Sequence, residues 1–513
     1  MSDGNGSRRQ RSVFDEKGLE QYARDLLAEI QEVYLGDRIP WVIGYSGGKD
    51  SSAVLQLVWL AIAKLPEEQR TKPIHIISTD TLVEQPVVAA WVDASHGKMR
   101  MAAREQKLPF TPHKLVPDVK DTFWVNLIGK GYPKPTTQFR WCTSRMKINP
   151  SNNFIRNVVR DNGEALLILG TRKAESQRRA QNMEKHERHR VRERISPNAA
   201  LPNSLIYTPI EDWSNDDVWQ FLMAVPNPWG HTNKSLLGMY QGASADNECP
   251  LVVDTSTPSC GSSRFGCWVC TVVDEDRSMT AMIKNDDEKL WMTPLLELRN
   301  ELAEPNDRSR RDFRRIDGRV QLFNGKTIPG PYKREWREHW IRRVLDVQQN
   351  IREHGPEEVR EIELISIAEM HEIRRIWKHE KGEFSDRVPT IYAEVMREEF
   401  PALDEDDTFL DQVDWDRLSD LCDGDEVFFQ LQAELLDIER KYRGMARRAG
   451  IFKAIEAKLR AAQFSNEDEA YQVREADQQR REEIRKQVRE DIEPRTQQSL
   501  FDESEEQIVP QQG

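Results

Sequence analysis

Between residues 15 and 36 apolar side chains recur at helical spacing, with Leu19, Tyr22, Leu26, Ile30 and Val33 on one face. A short unbroken apolar run, Trp41-Val42-Ile43, follows; then come a glycine turn and a second helical pattern through Leu55, Val58, Leu60 and Ile62. The alternation continues. His75-Ile76-Ile77 ends in Ser78-Thr79-Asp80-Thr81, a helix is predicted over about 84–105, and Ala165-Leu166-Leu167-Ile168-Leu169 ends in Gly170-Thr171-Arg172. Strands alternating with helices predict an α/β fold built on a doubly wound parallel sheet. Such sheets bind ligands beyond the carboxyl ends of their strands, and all three strand ends here carry polar or glycine residues. One candidate site is therefore expected along that edge.

Past residue 230 the pattern changes. Residues 231–275 are loop-rich, the chain beyond 280 is helical and charged, and the segment from 465 onward is Glu-, Gln- and Arg-rich. That tail reads as disordered or as a solvated helix. The domain organisation expected is 1–230 for the α/β part with its N-terminal helix, 231–280 for a cysteine-rich segment, 281–464 for a helical domain and 465–513 for the tail. No convincing internal repeat is present. The length of 513 residues suits more than one core, and 38% hydrophobic with 31% charged residues suits a globular chain. No apolar run reaches the ~18 residues of a membrane span, and "MSDGNGSRRQRS" lacks a signal-type apolar stretch, so a cytoplasmic protein without membrane contact is expected.

The turn Ser46-Gly47-Gly48-Lys49-Asp50-Ser51-Ser52 lies between a strand and a helix. Its glycines permit close backbone approach to an anion, the helix N-terminus offers free N–H groups, and the serine hydroxyls and Lys49 add donors and charge. The string is a phosphate cradle. It is neither the Walker loop nor a Gly-x-Gly-x-x-Gly dinucleotide turn, because the glycine spacing differs. The alternative is an ordinary strand-to-helix turn capped by serine.

The Ser-Gly-Gly-Lys-Asp-Ser string resembles the pyrophosphate loop of the N-type ATP pyrophosphatases, which split ATP between the α and β phosphates. "GTRKAESQRR" (170–179) and "TPIEDWSNDDVWQFL" (208–222) are similar to segments of phosphoadenylylsulfate reductases. "RWCTSRMKINP" (140–150) and "FGCWVCT" (265–271) resemble segments of their iron–sulfur relatives. Taken together over 15–290, with the long helical extension, the chain resembles the DndC-type ATP pyrophosphatases of the DNA phosphorothioation systems. The resemblance implies an adenine nucleotide alpha-hydrolase-like, Rossmann-like sheet. It further implies ATP, Mg²⁺ and a [4Fe–4S] cluster as cofactors, and as partners DNA, a cysteine desulfurase that donates sulfur and other phosphorothioation subunits. On this reading Ser46 to Ser52 hold the phosphates, Ser78, Thr79 and Asp80 lie near the nucleoside or metal, and Gly170 and Arg178 complete the nucleotide site. Lys49, Asp50, Arg172 and Cys142 carry the chemistry.

Four of the six cysteines, Cys249, Cys260, Cys267 and Cys270, fall within 22 residues, a clustering that favours a metal site or thiol chemistry. Four thiolates suit tetrahedral zinc and a [4Fe–4S] cluster equally by spacing, and the resemblance implies the cluster. Cys142 matches the place of a ligand pair in the iron–sulfur relatives, but Trp141 replaces its first member. The preferred reading leaves Cys142 as a free thiol that relays sulfur, with Arg140, Arg145 and Lys147 lowering its pKa; the rival makes it a ligand in place of Cys249 or Cys260. Cys422 reads as structural.

The net charge of −13 argues against wholesale non-specific DNA binding but does not exclude local patches. Residues 172–194 hold nine Lys/Arg against four Glu, and 308–319 hold six Arg. The first stretch is expected to hold a DNA phosphodiester beside the ATP site; for the second, phosphate binding and a solvated face stand even. Trp336 and Trp340, four apart, read as helix core, and "QQSLFDE" (497–503) is a weak candidate docking peptide. Competing functions are an adenylylsulfate-type reductase, which needs a nucleophilic cysteine beyond Cys422 where this sequence has none, a tRNA thiolase, and a nucleotide-gated assembly subunit with little turnover.

Overall fold

The computed structural model describes residues 12–187, 190–192, 194–244, 265–383, 385–401, 412–443, 445 and 447–498. Its front half runs α1 (Leu19–Leu35), β1 (Trp41–Gly44), α2 (Lys49–Ala63), β2 (Ile74–Thr79), α3 (Pro86–Glu105), β3 (Phe110–Leu115), α4 (Asn149–Asn162), β4 (Ala165–Ile168), α5 (Gln177–Glu187), β5 (Ile195–Pro197), β6 (Ser204–Tyr207), α6 (Asn215–Ala224) and α7 (Asn233–Gly242). The six strands form one sheet in the order β3-β2-β1-β4-β6-β5, parallel throughout except where β5 pairs with β6. β1 lies in the middle, with Trp41 opposite Ile74 of β2 on one side and Leu166 of β4 on the other. It is apolar without alternation because both faces of a parallel sheet are covered by helices.

The expected doubly wound sheet is present, and each sequence-predicted element lies close to its expected place. One face is covered by α1, α2, α3 and α6. Trp41, Ile43, Val58, Trp59, Ile74 and Phe221 are almost wholly buried there. The opposite face packs Val42 and Ile77 against Ile155 and Val158 of α4. The chain fills the sheet outward from β1 in one direction and then from β4 in the other, so the carboxyl ends of β1 and β4 flank the crevice where such sheets hold ligands.

The rear half is helical: α8 (Arg277–Asn285), α9 (Thr293–Ala303), α10 (Arg334–His354), α11 (Ile367–His379), α12 (Arg387–Met396), α13 (Gln412–Leu421), α14 (Glu426–Arg443), α15 (Ile451–Ala461) and α16 (Glu467–Gln498), interrupted by a hairpin of β7 (Leu322–Phe323) and β8 (Lys326–Thr327). A second core gathers Trp340, Val344, Ile373 and Ile391 with Val83, Trp124, Leu127 and Trp268 from the front of the chain. Trp340 is fully buried, as its spacing predicted, whereas Trp336 carries the Arg310 guanidinium 4.4 Å above its ring. Of the two readings for the tail, α16 matches the solvated helix through residue 498. The docking string at 497–503 extends outside the described residues, and the loop-rich stretch from 231 begins with a regular helix, α7. Among the described residues no helix is long and apolar enough to cross a membrane.

Trp59 anchors the first core. Its ring lies flat on Phe110 with centroids 4.4 Å apart, and its indole N–H donates to Gln106 Oε1 at 2.8 Å. Trp59→Ala removes both and should cost about 3–5 kcal/mol of stability, read as a lower denaturant midpoint with an unchanged slope.

Candidate functional site

At the end of β1 the chain turns through Tyr45, Ser46, Gly47 and Gly48 into α2. Gly47 has φ +76°, and a Cβ there would come 2.6 Å from Val92 Cγ2, so only glycine fits. Its carbonyl accepts the Trp91 indole N–H at 3.1 Å. Ser51 winds the turn, its Oγ accepting the Ser46 amide at 3.2 Å and donating to the Gly48 carbonyl at 3.0 Å. The opening of α2 thus faces a cleft of about 920 Å³, where its first N–H groups lack intrahelical acceptors.

Asp50 is gripped from two sides. Arg172 Nε donates to one carboxylate oxygen at 2.7 Å and Lys49 Nζ to the other at 2.9 Å. Arg172 is 3% exposed and also donates to the Trp213 carbonyl at 3.1 Å. Gly170 lets the strand end reach this cluster: a Cβ would lie 2.8 Å from the Asp50 carbonyl oxygen. The structure therefore brings together Ser46 to Ser51, Gly170 and Arg172, with Arg172 buried against Asp50.

Ser52 departs from expectation: it is buried, its hydroxyl bonds to the Tyr45 phenol, and it does not line the cleft, because a helix turns successive residues 100° apart. Ser78 lines the cleft, but its hydroxyl is spent on the Tyr45 carbonyl at 2.6 Å, so the His96 Nε2 at 2.8 Å supplies the proton of their bond. Thr79 bonds Ser151 at 2.9 Å, and Asp80 pairs with Lys114 at 2.9 Å. The side chain of Arg178 lies outside the described residues.

The basic stretch from 172 is largely neutralised from within. Lys173 pairs with Asp212 and Glu187, Arg179 with Glu175, Arg190 with Glu211, and Arg194 with Glu29. In the second stretch Arg308, Arg310, Arg311 and Arg314 donate to backbone carbonyls and fix the loop around the hairpin, while Arg315 and Arg319 are exposed.

At its far end the cleft reaches Glu84, Lys147 and Phe265, beside the thiols. Cys267 forms an antiparallel bridge with Glu84, and its sulfur lies 3.3 Å from the Thr81 hydroxyl. Burial pushes the Cys267 thiol up to about 12, with the Glu84 carboxylate adding to the rise. Cys142, just before a π-helical turn over Thr143–Ile148, lies in electrostatic reach of Cys270. Among the described residues, however, no group of three or more His, Cys, Asp or Glu side chains is placed to hold a metal ion. The Cys142 pKa runs against expectation: burial raises it. Arg145 points away to Asp121, Asn126 and Tyr132, and Arg140 is exposed. Lys147 pairs with Glu84 at 3.3 Å; burial alone would lower it, but the Cys267 thiol and Glu84 hold it above its ordinary value. Trp141 is a core residue, stacked on Phe123. Cys249 and Cys260 lie outside the described residues, and Cys422 is buried.

Sequence reasoning missed Trp91, Lys114 and Tyr240. The Tyr240 ring meets Phe265, and its hydroxyl accepts the Lys49 amide N–H at 3.3 Å, a pairing across 191 residues that no local pattern announces.

Residues 40–272 match the family model of the Phosphoadenosine phosphosulfate reductase domain, so the front of the chain carries a domain of this kind. An uncharacterized protein of Methanocaldococcus jannaschii is 24% identical over 273 residues, 53% of this chain and 44% of that protein; the chain therefore spans less than half the length of this relative. The crystal structure of a phosphoadenylyl-sulfate (PAPS) reductase from Candida auris, a phosphate complex, is similar over 42% of this chain and 92% of that one, at 15% identity and a TM-score of 0.26.

Burial holds the pKa of His96 down at about 4, against an ordinary value near 6.5. Because the folded state binds this proton less readily than the unfolded one, the stability it confers is complete above pH ~6.5 and is lost as pH falls towards 4, by roughly 3 kcal/mol at most. Unfolding curves across that window should show the loss in the wild type and a shallower slope in His96→Gln.

Proposed function

We propose that this chain is the sulfurtransferase component of a DNA phosphorothioation system and that it cleaves ATP to AMP and pyrophosphate. The observation that carries the reading is the continuity of one cleft from the glycine turn and α2 N-terminus to the Lys147–Glu84 pair beside Cys267. A site that activates a phosphate and then sulfurates it needs both ends within reach of one substrate.

The glycine turn and Lys49 would hold the β and γ phosphates, with Asp50 keeping Lys49 and a Mg²⁺ ion in position. A DNA phosphate oxygen attacks the α-phosphorus of ATP, and pyrophosphate leaves. Sulfur at the sulfide level then attacks the adenylated DNA phosphorus, and AMP departs with the former phosphate oxygen. A cysteine desulfurase would deliver the sulfur as a persulfide, and a second thiol closing a disulfide would supply the two electrons that release it. ATP is consumed because oxygen bound to phosphorus is otherwise a poor leaving group.

Cys142 and Cys267 each lie within electrostatic reach of Cys270; the described residues alone form no group of three metal-ligating side chains, so a thiolate-bound iron–sulfur centre would need Cys249 or Cys260 beside them. Such a [4Fe–4S] cluster would supply polarising iron and bound sulfur at the far end of the cleft. We take Cys142 as a ligand rather than an isolated relay thiol, on its nearness to Cys270. DNA as the acceptor rests on the sequence resemblance, and a tRNA thiolase remains the reading that a preference for RNA would favour.

Two measurements test this. Lys49→Ala should lower pyrophosphate release from ATP about a hundredfold, the typical loss of one charge-stabilising donor, while DNA with the desulfurase should raise release in the wild type; release stimulated by RNA alone would overturn the DNA assignment. Anaerobically purified wild type should contain iron and acid-labile sulfide, and Cys142→Ala should lose them; a zinc-containing colourless protein would rule the cluster out.

A further inference from the structure

Tyr240 stands at the opening of α2, over the end of the glycine turn. Its hydroxyl accepts the Lys49 N–H, the opening amide of α2, at 3.3 Å, and lies 3.2 Å from the place a Cβ on Gly48 would occupy. The bond is long and the acceptor neutral, whereas a phosphate oxygen offers charge and a shorter approach to the same donor. One N–H serves one strong acceptor, so arrival of the phosphate sets the two in competition.

The ring has little freedom to yield. On one side it meets Trp219 of α6, edge to face at 5.2 Å and 1% exposed. On the other it meets Phe265 at 4.9 Å, also edge to face. Phe265 is part-exposed and leads straight into the thiol turn: the Gly266 carbonyl accepts the Gln85 N–H at 3.3 Å, and Cys267 forms its bridge with Glu84. Displacing Tyr240 from Lys49 therefore loads Phe265 rather than the packed indole.

We infer that Tyr240 is a positioning residue that competes with the nucleotide's phosphate for the opening amide of α2 and transmits its arrival through Phe265 to the turn bearing Cys267 and Cys270. The inference rests on the reading of the cleft as a phosphate site and deepens it, since it couples ATP occupancy to the sulfur-handling end.

The test uses inorganic pyrophosphate with Mg²⁺ on the full chain, reading affinity by calorimetry and amide hydrogen exchange over residues 265–271 by mass spectrometry. Tyr240→Phe removes only the competing hydroxyl and should bind pyrophosphate about fivefold tighter, the exchange of one ordinary hydrogen bond. A merely structural tyrosine would give weaker binding instead. In the wild type, pyrophosphate should change exchange over 265–271; in Phe265→Ala, which keeps the hydroxyl but loses the ring contact, binding should persist without that change. Equal or weaker binding by Tyr240→Phe, or an undiminished exchange response in Phe265→Ala, would overturn the coupling while leaving the phosphate site intact. No pyrophosphate binding by the wild type would overturn both.

Discussion

The ion pair between Arg172 and Asp50 is the constraint on which the rest of the site depends. A guanidinium 3% exposed needs protein acceptors, and its Nε and one Nη find them in the Asp50 carboxylate and the Trp213 carbonyl. That requirement ties the strand end after β4 to the first turn of α2 and fixes the width of the crevice between β1 and β4. Gly170 is a consequence of the same closeness, because a side chain there would strike the Asp50 backbone. Lys49 then has a carboxylate to rest against while its ammonium stays at the edge of the cleft.

The thiol end is held by different forces. Cys267 is fastened by backbone pairing to Glu84, and Trp268, buried in the second core, donates its amide to the Val83 carbonyl at 3.0 Å. Cys142 comes from a separate segment, brought in by Trp141 packing on Phe123. Burial penalises the thiolate form of Cys142 and Cys267 and raises both thiols above their ordinary range. The helical extension contributes here by completing the second core, which closes over the segments carrying these cysteines.

Much of this was legible from sequence because it is local. The apolar run Trp41-Val42-Ile43, the glycines of the turn and the helical spacing after Lys49 concern neighbours in the chain, and period and backbone freedom alone select strand, turn and helix. β3 and β6 escaped notice: "FTPHKL" and "SLIY" are short and mix polar residues into their runs, so register against β2 and β4 makes them strands. The serines show the limit most sharply. Ser51 and Ser52 are adjacent and chemically identical, yet one shapes the turn at the cleft and the other is buried against Tyr45.

By itself, then, the sequence determined the central strands β1, β2 and β4 with the helices that follow β1 and β2, the phosphate-type turn and the supply of thiols, since these follow from residue type and spacing. Tertiary structure decided which charges remain free. Arg179, Arg190 and Arg194 of the basic stretch pair with Glu175, Glu187, Glu211 and Glu29, partners up to 165 residues away. It also decided that Cys142 joins Cys270 and that Tyr240 reaches Lys49. Hydrogen bonds and ion pairs act over a few ångströms, so their partners exist only once the chain has folded to bring distant residues within that range.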